Sequence, residues 1–349
     1  MKCILHVGAH KTGTSAIQMA LAGYDDGSTL YADLGDPNHS IPIQTLFSED
    51  HLWAHWKRMG LSEQEHTALI KDLNRKFSGN FENRHDRVVF SGENISILDI
   101  SSLKRLRVAL EERGADIEII MFVRDPLAYR VSIAAELVKQ GETDVLADHL
   151  MSIRQRYHNL LSVFGKRPAV IKYEEIEFFN NNIVEVFSDY VGIDASRLAN
   201  SSLRSNSSLT EDAFKIVLKF NKLGITHNKG KVLSEARWAF VRGVVELLSS
   251  KRPLNKKYFV QLVNPAELEF LSQLLGLGYG KYEDLENGED FDSYLNDISE
   301  QAVVDISQFL CAKGLAYDYK SDVDAMISIL FYYFVAEEFQ RSGVLREVG

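Results

Sequence analysis

Leu5-His6-Val7-Gly8-Ala9-His10-Lys11-Thr12-Gly13-Thr14-Ser15-Ala16-Ile17-Gln18 is the stretch whose reading decides the fold. An apolar run, Cys3–Val7, reads as a strand; a glycine-bearing loop follows; a helix begins at Thr14 or Ser15. A strand-to-helix turn of this kind converges backbone N–H groups on the positive end of the helix, which together hold a phosphate. Against the pattern G-x-x-x-x-G-K-[ST], Gly8 and Gly13 have the right separation and Ser15 falls on the hydroxyl position. The lysine position is taken by Thr14. The loop's lysine is Lys11, before the second glycine. In an NTPase the lysine after that glycine reaches the β- and γ-phosphates, and the next hydroxyl holds magnesium. Lys11 sits lower, beside a single phosphate and the group attached to it.

Three further apolar runs read as strands: Arg87–Ser91, Ile117–Val123 and Ala169–Tyr173. Ile117–Val123 is nearly continuous, as in a strand covered on both faces. Helical patterns fall at 14–23, 101–113, 127–140, 146–164 and 180–191. Strands alternating with helices predict an α/β fold, a P-loop-type parallel sheet flanked by helices. From about 210 onward the pattern is helical, with Thr210 as the N-cap ahead of Ala213–Asn221. The expected division is an α/β domain over 1–225 and a helical C-terminal region over 226–349. Residues 281–300 are acidic and read as a solvated linker. Gly276-Leu277-Gly278-Tyr279-Gly280 follows a helix and reads as a helix stop.

A chain of 349 residues allows one large domain or two ordinary ones. Its formal net charge of -10 argues against a nucleic-acid binder, which collects phosphates on a basic surface. Two cysteines, Cys3 and Cys311, make neither a disulfide framework nor a zinc site. The apolar run at the N-terminus is too short for a signal peptide. Met326–Ala336 falls short of the ~20 residues of a membrane span and reads as a buried helix. The expectation is a cytoplasmic protein without a membrane span.

A second anion site follows the strongest strand, in Phe122-Val123-Arg124-Asp125-Pro126-Leu127-Ala128-Tyr129-Arg130-Val131-Ser132. Arg124 lies at the strand's carboxyl end, the edge where open α/β sheets bind ligands. Pro126 suits the first turn of the next helix, and Ser132 sits two turns along it. An arginine and a hydroxyl can hold a phosphate that never reacts.

The loop His6–Ser15 resembles the 5′-phosphosulfate loop of sulfotransferases that use 3′-phosphoadenosine 5′-phosphosulfate (PAPS). Arg124 and Ser132 resemble their 3′-phosphate site. Tyr157–Gly165, Tyr173-Glu174-Glu175 and Asn206-Ser207-Ser208-Leu209-Thr210 also resemble bacterial members of that family, including those of polysaccharide biosynthesis. The resemblance covers about residues 1–225. It implies transfer of a sulfuryl group from PAPS to a hydroxyl or amine of an acceptor, a small molecule or a glycan, with no metal. It implies Lys11, Thr12, Gly13, Thr14, Ser15, Arg124 and Ser132 as donor-binding residues, and Asn206 and Ser207 near the nucleotide or the acceptor mouth.

The acceptor needs a base. Glu93, in Val88-Val89-Phe90-Ser91-Gly92-Glu93-Asn94, lies just past a strand's carboxyl end, and its position resembles the acidic residue that activates the acceptor in carbohydrate sulfotransferases. His39, in a turn-like segment, and His10, inside the loop, are the other candidates. The remaining readings are a P-loop kinase or NTPase with a displaced lysine, and a non-catalytic scaffold on the same fold.

Overall fold

The fold is built on five parallel strands in the order β2-β3-β1-β4-β5. They are β1 Lys2–His6, β2 Thr29–Tyr31, β3 Arg87–Ser91, β4 Asp116–Val123 and β5 Ala169–Lys172. The computed structural model describes residues 1–9, 11–83, 85–145, 151–174, 176, 182–198, 209–225, 231–275, 290–315 and 322–342. His10, Asn206, Ser207, the 276–280 glycine segment and the first part of the acidic run lie outside the described residues. The chain forms two compact units: Met1–Pro126, His149–Arg204 and Pro265–Tyr279 make the first, and the rest of the chain makes the second.

The first unit has the α/β architecture that the strand-helix alternation predicts. Cys3, Ile4, Leu5 and Val7 are all buried because both faces of the sheet are covered. On one face, α1 Thr14–Leu21 packs against α8 Ile183–Val191, with Ile17 and Leu21 meeting Phe122 and Phe187. On the other side lie α2 Ser40–Phe47, α3 Trp53–Arg58, α4 Glu63–Gly79, α5 Ile100–Glu111 and α7 Ile153–Phe164. Phe47, Phe77, Phe81 and Phe90 stack into one aromatic cluster there. Ser62 and Glu65 form a reciprocal capping box that starts α4. α11 Pro265–Leu275 belongs to this unit as well: Glu267 Oε1 accepts from Ile153 N at 3.2 Å, and Phe270 meets Tyr157 edge-on.

β1 is central. Its neighbour on one side is β3 and on the other β4, with His6 opposite Ser91 and Ile120. The chain leaves β1 toward β2 and β3, then crosses to β4 and β5. The strand order therefore reverses beside β1, and its carboxyl end is the crevice where such sheets bind ligands.

The second unit is helical throughout its described residues. It holds Leu127–Gln140 of α6, which spans Pro126–Gln140, with α9 Glu211–Lys222, α10 Lys231–Leu247, α12 Phe291–Asn296, α13 Glu300–Ala312 and α14 Val323–Ser342. α9 is buried nearly all round, as a core helix should be. Phe220, Phe240 and Phe331 meet at its centre. Within α14, Met326, Ile327, Leu330 and Phe331 are buried and Tyr332 is exposed; no described helix is long and apolar enough to cross a membrane.

Thr210 stands at the N-cap of α9 as the pattern predicts, although its side chain makes no capping bond. One local expectation needs correction. Residues 290–300 are more than a solvated linker: Asp290 caps α12, whose Phe291 and Tyr294 pack on Phe259, and Tyr294 stacks on Tyr258 at 4.0 Å. The acidic side chains mark the outer face of a helix whose apolar face is buried.

Arg237 ties this unit together. Its guanidinium is buried and donates from Nε to Lys139 O at 2.7 Å and from Nη2 to Asn221 Oδ1 at 2.6 Å. Nη2 also donates to Val138 O. Lys139 O and Val138 O belong to the last turn of α6, where the helix ladder runs out, and Val138 O also accepts from Gly141 N and Asn221 Nδ2. Arg237→Leu removes the charged donor from this buried cluster, which costs about 3 kcal/mol. The urea midpoint should fall accordingly; an unchanged midpoint contradicts the role.

Candidate functional site

The loop is shaped by two left-handed residues. Lys11 has φ 65° and Gly13 has φ 76°. The lysine pays a conformational cost on the order of 1 kcal/mol, which backbones tolerate chiefly at functional sites. Gly13 is required twice over, because a Cβ there would also meet Ile183 at 3.1 Å. Upstream, Val7 N and Ala9 N donate to Ile120 O and Phe122 O, so the chain keeps to β4 before turning. The buried Thr12 hydroxyl donates to Ala9 O at 2.6 Å and closes the turn. Gly13 is the N-cap of α1 and brings no side chain to it. The first N–H groups of α1 are therefore uncapped by that residue and form the anion-binding end of the helix.

Arg124 stands beside the loop at the end of β4. Its Nη1 donates to Lys11 O at 3.3 Å, and its guanidinium lies 5.1 Å over the Tyr173 ring. Its Nε is buried and has no hydrogen-bond partner. Next to it, Asp125 N donates to Glu174 Oε1 at 3.0 Å. Lys11, Thr12, Gly13, Thr14, Ser15 and Arg124 thus come together at one sheet edge. Ser132 lies on the part of α6 that belongs to the second unit.

Glu93 opens a 3-10 turn, Glu93–Ile97, directly after β3. Gly92 N donates to His6 O, which holds the start of this turn against the end of β1. A Cβ on Gly92 would stand 2.6 Å from Ser40 N, so a side chain there would push the turn away from α2. Glu93 is half-buried, and its negative charge reaches His6.

His39 is not in a solvated turn. It is fully buried, its Nδ1 accepts from Ser91 N at 3.0 Å, and its ring stacks on Tyr31. Burial lowers its pKa to about 4, so it is a neutral imidazole whose acceptor nitrogen is already used. This histidine holds the start of α2 on the end of β3.

One residue of this edge escapes a reading of motifs. His6, the last residue of β1, is fully buried. Its Nδ1 lies 2.8 Å from Ser91 Oγ, and Gln18 Nε2 donates to Ser91 O from α1. Burial lowers its pKa to about 4, against the opposing pull of Glu93. A polar residue ending an otherwise apolar strand was the available signal.

No protein-family model matches the chain. No curated protein matches it either. Solved sulfotransferases are similar to it. A sulfotransferase from Alicyclobacillus acidocaldarius is 16% identical with a TM-score of 0.34, over 67% of this chain and 98% of that one. A sulfotransferase domain from the curacin biosynthetic pathway is 17% identical with a TM-score of 0.31, over 55% of this chain and 74% of that one.

The residues fit a phosphorylated ligand on their own terms. The loop presents the start of a helix capped by glycine alone, and Arg124 keeps a buried Nε–H without an acceptor. A bound oxyanion supplies the acceptor that such donors lack.

Proposed function

We propose that the protein is a PAPS-dependent sulfotransferase acting on a hydroxyl or amine acceptor, a carbohydrate being the favoured class. The observation that carries the reading is the pairing of Lys11 with Arg124. A lysine inside the loop, ahead of Gly13, is joined through its own carbonyl to an arginine at the end of β4. A magnesium-dependent NTPase needs a lysine at the position of Thr14. Here the lysine lies earlier in the loop, and β4 runs first into Arg124, with Asp125 after it; two cations at the loop suit a ligand bound by charge and hydrogen bonds.

Bound PAPS supplies an activated sulfuryl group joined to a phosphate leaving group. Thr14, Ser15 and the first N–H groups of α1 hold the 5′-phosphate. Lys11 neutralises the charge that grows on the phosphate oxygen as the sulfur–oxygen bond breaks. Glu93 takes the proton from the acceptor as its oxygen or nitrogen attacks sulfur. Arg124 holds a phosphate that does not react. His39, whose acceptor nitrogen is bonded to Ser91 N, is a poorer base than Glu93.

The test compares melting temperatures with 3′-phosphoadenosine 5′-phosphate and with ATP plus magnesium, since a ligand that binds only the native state raises Tm. A shift with the former alone supports the reading. A shift with ATP alone favours a kinase, and none with either favours a scaffold. Transfer of labelled sulfate from PAPS to an oligosaccharide panel then identifies the acceptor class.

Arg124→Ala should raise the Michaelis constant for PAPS and leave kcat nearly unchanged, because a bond to an unreacting phosphate is equal in ground and transition states. An unchanged constant with a large loss of kcat overturns that assignment.

A further inference from the structure

His6 has no part in the chemistry just described, yet it lies beneath the loop with one nitrogen unused. The ring is fixed on three sides. Nδ1 meets Ser91 Oγ at 2.8 Å. Phe122 stands edge-on at 5.3 Å, and Phe187 lies against the ring at 4.9 Å. Nε2 is buried and has no hydrogen-bond partner. Leaving a buried polar atom unpaired costs about 1–3 kcal/mol, so such an atom calls for a reason.

Gly8 supplies the reason. It is not among the residues with a left-handed backbone, so its conformation does not demand glycine. Its missing side chain provides room instead. A Cβ on Gly8 would stand 3.0 Å from Thr12 Oγ1, 3.2 Å from His6 Nε2 and 3.2 Å from Thr14 Oγ1. A strand, a loop and a helix each send one polar atom to the same small space. Thr12 is as buried as His6 and Thr14 nearly so, so the space is screened from bulk water.

We propose that His6 Nε2 and the Thr14 hydroxyl form a subsite over Gly8 that holds one oxygen of the phosphate bound in the loop, with Thr12 Oγ1, whose hydrogen goes to Ala9 O, as its wall. The proposal rests on the loop's being a phosphate site. In the tautomer where Ser91 Oγ donates to Nδ1, the ring hydrogen sits on Nε2, aimed at the ligand oxygen. The lowered pKa fits a neutral N–H donor in this place. His6 then measures the depth to which the phosphate enters, and Lys11 supplies the charge.

The test uses the geometry of amide replacements. A glutamine amide reaches the place of Nε2, and an asparagine amide reaches only that of Nδ1. Titration calorimetry with 3′-phosphoadenosine 5′-phosphate, and separately with ATP and inorganic pyrophosphate, is run on wild type, His6→Gln, His6→Asn and Gly8→Ala. His6→Gln should bind nearly as wild type. His6→Asn should lose about 10–100-fold, the value of one hydrogen bond to a charged group. Gly8→Ala, whose methyl fills the subsite, should lose at least as much. The reverse order, with Asn tolerated and Gln not, shows that His6 serves only as an anchor for Ser91 and overturns the proposal. If the His6 variants do not fold, Gly8→Ala and Thr14→Val carry the test, and unchanged affinity in both overturns it. The same variant order seen with ATP or pyrophosphate, but no binding of the sulfotransfer product, sinks the sulfotransferase reading and keeps the subsite. Binding of none of the three sinks both.

Discussion

Glu93→Gln lowers kcat by about 10²–10⁴-fold, the usual contribution of a positioned general base. The substitution keeps the size of the side chain and most of its hydrogen bonding, and removes the oxygen that accepts the proton. Affinity for 3′-phosphoadenosine 5′-phosphate stays near that of wild type, because Glu93 belongs to the turn after β3 and not to the loop. A Glu93 with a merely structural role gives a different pair of results. Gly92 and Ser40 pack at the start of this turn, and a disturbed turn would lower Tm and ligand affinity together. Single-turnover rates across neutral pH, measured beside Tm, separate the two. Normal turnover in the variant removes Glu93 as the base.

Lys11→Ala lowers kcat by about 10²–10³-fold, as loss of one preorganised electrostatic donor does elsewhere. The fold survives the change. Arg124 is bonded to the backbone carbonyl of Lys11, which alanine retains, and Thr12 still closes the turn on Ala9. Binding of the product nucleotide weakens much less than turnover falls, since the charge that Lys11 meets is greatest when the sulfur–oxygen bond is breaking. Circular dichroism and product affinity on the purified variant provide the control. Near-wild-type turnover rejects Lys11 as the cation of the transfer step, and a loss confined to the Michaelis constant makes it an ordinary phosphate ligand.

How much of this was legible in the sequence follows from the range of the interactions. The strand, loop and helix at residues 2–21 are local: an apolar run, two glycines at a fixed separation and a helix start lie within one short stretch, and the structure realises them nearly to the residue. The same holds for Arg87–Ser91, whose bounds the pattern predicts, and for Arg124 at the end of a strand. β2 is different. Three residues, Thr29–Tyr31, are too few to show a period, and they become a strand only because β3 offers a partner edge.

The sequence by itself determined the α/β class, the strand–loop–helix with a lysine ahead of its second glycine, and the helical character of the described residues from about 210 onward. Each is written in spacings of a few residues, where backbone geometry alone converts sequence into structure. Only the tertiary structure decided that His39 is buried and bonded to Ser91, that Leu127–Gln140 joins the helical unit while α11 returns to the sheet-bearing one, and that His6 lies under the loop. His6 and Ser91 are 85 residues apart in the chain. They meet because β1 and β3 pair in parallel with these two residues in register, and the burial that keeps the imidazole neutral comes from Phe122 and Phe187, on another strand and another helix. A side chain's hydrogen-bond partners and its distance from water are set by which elements the whole fold brings beside it, and no local spacing encodes that.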